Sequence, residues 1–126
     1  MAKRENNETA LRTYKGSCHC GSVQFTFISP QIKKALRCKC SMCRRKGELS
    51  TSFTVLPDNV HIEAGTERLS TYRFNTRIAK HSFCRECGIS PFYQTRLKPG
   101  EFRFNLGCLH EFDPFSLPLE TFEGDH

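Results

Sequence analysis

Tryptophan is absent from the 126 residues, methionine occurs twice, and no run approaches the ~18 consecutive apolar residues of a membrane-spanning helix. A helical membrane protein is thereby excluded. Helical striping is missing as well: no window of 12 residues carries a sustained apolar helical face, which argues against an all-α domain. There is no Ser-His-Asp pattern, no pair of catalytic carboxylates and no glycine loop for phosphate, so common hydrolase and nucleotide-dependent chemistries have no candidate residues. The opening MAKRENNETA is charged but has no apolar segment behind it. That pattern predicts no secretory signal and a cytoplasmic protein, whose thiols stay reduced.

The apolar share is 37%, which makes a thin core, but 11 Phe and 3 Tyr supply large surfaces for burial. The length fits one domain. Residues 1–9 are polar and without period and read as a flexible tail, leaving residues 10–126 as a single domain. Within it the apolar pattern has period two. Val23, Phe25 and Phe27 alternate with Gln24 and Thr26, and Phe102, Phe104 and Leu106 alternate with Arg103 and Asn105. Ser52–Leu56, Val60–Glu63 and Leu69–Phe74 also read as strands, separated by turn-forming residues. One helical turn is expected after Cys40, capped by Ser41 and ended by Gly47. The fold class is mostly β.

Eight cysteines in such a chain are the dominant feature. Their spacings, Cys18-x-Cys20, Cys38-x-Cys40-x-x-Cys43 and Cys84-x-x-Cys87, suit ligands of one metal ion and suit disulfides poorly. Soft thiolates and tetrahedral demand point to Zn²⁺. Spacing alone leaves three groupings open. Cys18, Cys20, Cys84 and Cys87 form a closed site and leave Cys38, Cys40 and Cys43; or Cys40, Cys43, Cys84 and Cys87 form a ribbon; or Cys108 completes the triplet and closes both sites. A four-thiolate site contributes folding energy, whereas a three-thiolate site keeps a position for water, substrate or another side chain.

The segments GSCHCGSVQFTF, RCKCSMCRRKG, FCRECGISPFY and FRFNLGCL, in this order, resemble the glutathione-dependent formaldehyde-activating enzyme family, whose domain is shared with centromere protein V. The similarity runs from about Lys15 to Gly124. It implies a zinc-stapled β-tent fold of small antiparallel sheets with two Zn²⁺ per chain. A structural zinc would lie on Cys18, Cys20, Cys84 and Cys87, and a second, catalytic zinc on Cys38, Cys40 and Cys43. The implied activity is that of a carbon–sulfur lyase resembling S-(hydroxymethyl)glutathione synthase, with glutathione or a similar thiol as small-molecule partner. Lys39 stands where such proteins often carry His, and Cys108 is additional.

Zinc-bound glutathione would lose its thiol proton, whose ordinary pKa is ~8.5. Arg44 and Arg45 follow the triplet directly and are candidates to hold the carboxylates of glutathione. His81, three residues before Cys84, reads as a surface strand histidine, with a hydrogen bond to a metal ligand as the alternative. The charge of +6 is uneven: residues 1–50 hold 11 Lys/Arg against 3 Asp/Glu, and residues 101–126 hold 1 against 6. A non-catalytic zinc module binding protein or nucleic acid through the basic half is therefore the rival function. Nucleic acid is disfavoured, because no aromatic-rich basic repeat accompanies the charge. A B-type methionine sulfoxide reductase would need a free nucleophilic Cys, for which Cys108 alone is unassigned.

Overall fold

Alternating large apolar side chains can be buried on one face only when the backbone is extended, and the structure, a computed structural model, uses the aromatic runs in this way. It describes residues 10–64, 66–73 and 79–123, so the tail read over residues 1–9 lies outside the described residues. The strands are β1 (Leu11–Ser17), β2 (Gln24–Pro30), β3 (Ala35–Cys38), β4 (Ser50–Thr51), β5 (Val60–Glu63), β6 (Leu69–Tyr72), β7 (Lys80–Cys84), β8 (Phe92–Gln94), β9 (Phe102–Phe104) and β10 (Leu119–Phe122). Among the described residues one α-helix, α1 (Ser41–Lys46), interrupts them.

Three sheets result, ordered β1-β2-β5, β10-β3-β4 and β6-β7-β8-β9. Their pairings are antiparallel except for β10 on β3, which is parallel and brings Phe122 opposite Cys38. In β2 the inward residues Phe25 and Phe27 are buried, as period two requires. They meet Phe92 of β8 and Phe104 of β9, with Phe27 and Phe104 stacked at 4.1 Å between ring centroids. This aromatic layer joins the first sheet to the third. The middle sheet is tied to β9 by Thr51, whose Oγ1 accepts from Phe104 N–H (3.2 Å) while its carbonyl accepts from Arg103 Nη1 (2.9 Å).

Three local expectations are corrected. Ser52–Leu56 is not a continuous strand: Thr51 Oγ1 donates to the Phe53 carbonyl, which bends the chain, and Val55 alone bridges to Phe102. Leu106 is buried as its periodicity predicts, but it opens a 3₁₀ turn because the Asn105 side chain caps Gly107 N–H at 3.0 Å. The cap of α1 is Cys40, not Ser41, with its Sγ accepting from Cys43 N–H at 3.3 Å. Gly47 ends that helix at φ +66°, as expected of a left-handed cap. β6 ends at Tyr72, and Phe74 lies outside the described residues.

Gly16 of β1 has a packing reason for its identity. A Cβ there would lie 2.5 Å from the Cys108 carbonyl oxygen and 2.5 Å from the Phe25 ring. Backbone cannot yield as a flexible side chain does. Gly16→Ala is expected to cost ~1–3 kcal/mol by overpacking, and Phe104→Ala ~3–5 kcal/mol by truncating the aromatic layer. Denaturant unfolding measures both; a Gly16→Ala midpoint equal to that of the unaltered protein would contradict the close packing of β1 on the 106–109 turn.

Candidate metal centre and adjoining cavity

Two tight turns place the first group of thiols. After β1, Cys18 N–H donates to the Val23 carbonyl and Gly21 N–H to the Cys18 carbonyl, with Gly21 at φ +85°. After β7, Gly88 N–H donates to the Cys84 carbonyl, with Gly88 at φ +80°. The left-handed backbone of both glycines reverses the chain within a few residues. Cys20 Sγ then lies 3.7 Å from Cys18 Sγ and 3.7 Å from Cys84 Sγ, across 64 residues of sequence in the second case. All four sulfur atoms of Cys18, Cys20, Cys84 and Cys87 lie within 4.8 Å of one another.

These dimensions fit zinc. A tetrahedron of 2.3 Å Zn–S bonds has S–S edges of about 3.8 Å. Val23 N–H points to Cys18 Sγ (3.4 Å) and Glu86 N–H to Cys84 Sγ (3.3 Å), a pattern that favours thiolate over thiol. Burial, with the neighbouring thiols of Cys20, Cys84 and Cys87 adding to it, pushes the Cys18 thiol up to about 11, and a cation beside it would favour the ionised form.

The second group is built from the end of β3 and the start of α1. Cys38, Cys40 and Cys43 also bring their sulfur atoms within 4.8 Å. Cys43 is buried, and the other two are half-buried. The hydrogen bond from Cys43 holds the Cys38 thiol down to about 6 and correspondingly pushes Cys43 up, with burial adding to the rise. Three thiolates at this spacing repel, and a soft divalent cation is the group that lets all three ionise together. Cys108 belongs to neither group among the described residues. It packs in the apolar core, where burial pushes its thiol up to about 12. Neither the ribbon grouping nor closure of the triplet by Cys108 is formed.

The triplet opens on a cavity of about 160 Å³ lined also by His81, Tyr93, Arg96, Lys98 and Arg103. Arg44 and Arg45, singled out from sequence, are exposed on α1, and neither is among the described residues lining that cavity. Arg45 Nη1 instead donates back to the Ser41 carbonyl at 3.0 Å. The cavity's cations come from β9 and from the segment after β8, far in sequence from Cys38, Cys40 and Cys43. Proximity in sequence to Cys43 was the wrong signal for them. The alternation of Arg103 with Phe102 and Phe104 already marked it as facing away from the aromatic layer.

His81 also departs from its surface reading. It is 4% exposed, pairs across strands with Tyr93, and stacks on that ring at 5.0 Å and 16°. Lys46 Nζ lies 3.2 Å from His81 Nδ1, 3.2 Å from Glu48 Oε1 and 4.5 Å from the centre of the Tyr93 ring. The Lys46 and Glu48 side chains are 12% and 6% exposed, so this ion pair is largely dry.

Burial, and then the Lys46 charge, push the His81 imidazole down from 6.5 to about 4. As pH falls, the unfolded chain therefore binds the proton before the folded protein does. The stability contributed by the neutral ring is complete above pH 6.5 and is lost as pH falls toward about 4. The stability difference between the unaltered protein and His81→Phe is expected to be largest above pH 6.5 and to shrink below it, read from urea midpoints across this window. Parallel curves for the two proteins would mean that the ring titrates as it does in water.

The chain is similar to known proteins in sequence and in fold. The family model described as glutathione-dependent formaldehyde-activating enzyme matches residues 13–125. A Halomonas elongata protein assigned provisionally to the glutathione-dependent formaldehyde-activating enzymes is 32% identical over 80 residues, which are 58% of this chain and 50% of that protein. The chain thus spans about half the length of the curated relative it matches. A crystal structure of a Rhodobacter sphaeroides protein superposes with a TM-score of 0.74 at 37% identity, covering 84% of this chain and 99% of that one. With the family model spanning all of the residues that carry the two thiol groups and the cavity, the chain belongs to the glutathione-dependent formaldehyde-activating enzyme family.

Proposed function

We propose that this protein, as one domain over residues 10–126, binds two Zn²⁺ and joins a thiol to a small aldehyde, or cleaves the resulting adduct, as a cytoplasmic carbon–sulfur lyase. Glutathione and formaldehyde are the proposed pair and S-(hydroxymethyl)glutathione the adduct. The observation that supports this best is the three-thiol group opening on a cavity lined by Arg96, Lys98 and Arg103.

Cys18, Cys20, Cys84 and Cys87 would hold a closed structural zinc, and Cys38, Cys40 and Cys43 a second one. Bound there, Zn²⁺ would supply a soft acceptor that keeps an added thiol in its thiolate form at neutral pH. The protein's own residues do the remaining work. Arg96, Lys98 and Arg103 place positive charge where the two carboxylates of glutathione would lie, and the guanidinium groups can hold a carboxylate bidentately. Tyr93 and His81 form a wall that limits the second substrate to a small carbonyl compound. In the joining direction sulfur attacks the carbonyl carbon, the C=O π pair moves to oxygen, and oxygen takes up the proton that the thiol released. Cleavage reverses each movement.

Replacing Zn²⁺ by Co²⁺ makes the thiolate sites visible by their absorption. Glutathione at millimolar concentration is expected to shift those bands, and a simple thiol of similar pKa to do so less well. Lys98→Ala is expected to weaken the glutathione effect by roughly 3–10-fold, on the order of 1 kcal/mol for one exposed charge-assisted contact. Arg44→Ala with Arg45→Ala is expected to leave it unchanged. No response to any thiol would mean a closed second site and a non-catalytic zinc module.

The two sites also differ in what they hold together. Cys84→Ser removes a ligand from a group joining segments 64 residues apart, whereas Cys43→Ser acts within six residues of Cys38. The first is expected to lower the melting temperature more, by the loss of several kcal/mol of metal-linked folding energy. Elemental analysis of the unaltered protein is expected to find two Zn²⁺ per chain.

A further inference from the structure

The strand β10 supplies a wall of the thiol cavity from far beyond the cysteine triplet in sequence. It lies parallel to β3, with Leu119 opposite Ala35 and Phe122 opposite Cys38. Residues directly opposite one another on paired strands project to the same face of a sheet. The Phe122 side chain therefore shares a face with the Cys38 thiol, and both residues line the cavity. Backbone bonds fix this placement at both ends of the pairing. Ala35 N–H donates to the Pro118 carbonyl (2.9 Å) and Lys39 N–H to the Phe122 carbonyl (2.8 Å). Lys34 pairs with Glu120 at 3.1 Å and Lys39 with Glu123 at 3.3 Å, which suits the same register. A slip by one residue would turn Phe122 to the other face.

Exposure separates the floor of the cavity from its mouth. Cys43, Tyr93 and His81 are buried, whereas Phe122 is 36% exposed and Leu97 61%. A residue that both lines a cavity and reaches solvent stands at its entrance. Among the described lining residues, Leu97 and Phe122 are the large apolar side chains left exposed. A molecule entering the cavity would cover part of that apolar surface. Lys98, next to Leu97 in the chain, is exposed and lines the cavity as well, so the entrance offers both a cation and apolar contact. Phe122 differs from Leu97 in being paired with a cysteine of the triplet, at a strand spacing of about 4.8 Å. Bulk beside an incoming sulfur atom would meet its ring first.

We infer that Phe122 is a specificity-determining residue at the mouth of the thiol cavity, admitting thiols whose sulfur is carried by an unbranched CH₂ and excluding those branched at that carbon. This deepens the thiol reading above and rests on it. The carbon of a CH₂–SH group carries two small hydrogens and clears a neighbouring aromatic ring. Two methyl groups in their place crowd that ring, and the paired backbone behind Phe122 does not yield as a flexible side chain would. Charge plays no part in this selection, because Arg96, Lys98 and Arg103 act alike on a carboxylate whether the thiol carbon is branched or not.

Cysteine and its β,β-dimethyl analogue penicillamine carry the same charged groups and differ at the carbon next to sulfur. Their half-saturating concentrations are read from the absorption bands of the Co²⁺-loaded protein. The unaltered protein is expected to prefer cysteine by on the order of 10-fold. Phe122→Ala is expected to cut that ratio several-fold by admitting penicillamine, with little change for cysteine, and Phe122→Leu to fall between. Comparing ratios between proteins removes any inherent weakness of the branched thiol. Leu119→Ala alters the same strand at a residue that does not line the cavity, and is expected to keep the full preference. A ratio unchanged in Phe122→Ala, or equally reduced in Leu119→Ala, overturns the assignment. A second measurement needs no thiol ligand. N-methylmaleimide and the much larger N-pyrenylmaleimide are reacted with the zinc-loaded protein, and modification of Cys38 is followed by peptide mass. Phe122→Ala is expected to speed the larger reagent several-fold and leave the smaller one nearly unchanged; the same relative rates as in the unaltered protein overturn the wall. If no thiol shifts the bands of the unaltered protein, the thiol reading fails, while the maleimide rates still decide whether Phe122 screens Cys38.

Discussion

Four sulfur atoms from two distant turns lie within 4.8 Å of one another, and the rest of the molecule is arranged around that constraint. The turn after β1 belongs to the first sheet and the turn after β7 to the third, so holding their thiols together fixes one end of the two sheets. The Phe25–Phe27 face of β2 then meets Phe92 edge-on and stacks on Phe104, which fixes the interior. A chain with a 37% apolar share has little else with which to stabilise itself. The two devices are complementary: aromatic packing is strong but tolerant of sliding, whereas four thiols at the spacing of a tetrahedral metal site would tolerate almost none once a metal joined them.

The middle sheet carries the consequence for function. β3 delivers Cys38 and leads into the Cys40 cap of α1, while β4 ties that unit to β9 through Thr51 and Arg103. One residue thus serves two purposes, since Arg103 both secures the Thr51 carbonyl and lines the cavity beside the thiols. The same economy appears at α1. Its first turn presents Cys43, and its last residue, Lys46, reaches His81 and Tyr93 of the third sheet. The thiol cavity lies where elements of the second and third sheets converge, and no single segment of the chain could form it.

The two thiol groups were legible in part because side chains able to share a metal ion must follow local spacing rules, and local turns decide most of the geometry. Cys18 with Cys20 and Cys84 with Cys87 are each brought together by a short turn closed at a glycine, a pattern visible in the residues themselves. Which pair joins which was not decided by spacing, since ribbon and pair-plus-pair groupings satisfy it equally. The resemblance to a known family favoured the arrangement that the structure displays. His81 shows the opposite case. One histidine in a strand has no pattern of its own, and its burial depends on Tyr93 opposite it and on Lys46 arriving from 35 residues away.

The sequence by itself determined the period-two burial of Phe25, Phe27, Phe102 and Phe104, the left-handed stop at Gly47 and the pairing of neighbouring cysteines, because each depends on contacts within a few residues or on strand alternation. Tertiary structure alone decided that Arg103, Arg96 and Lys98 rather than Arg44 and Arg45 line the cavity beside the thiols, and that Lys46 turns inward to a buried carboxylate and a histidine. Charge on a side chain is legible from its identity, but the direction in which a long, flexible side chain points is set by the surface against which its helix or strand packs. That surface exists only after sheets distant in sequence have met.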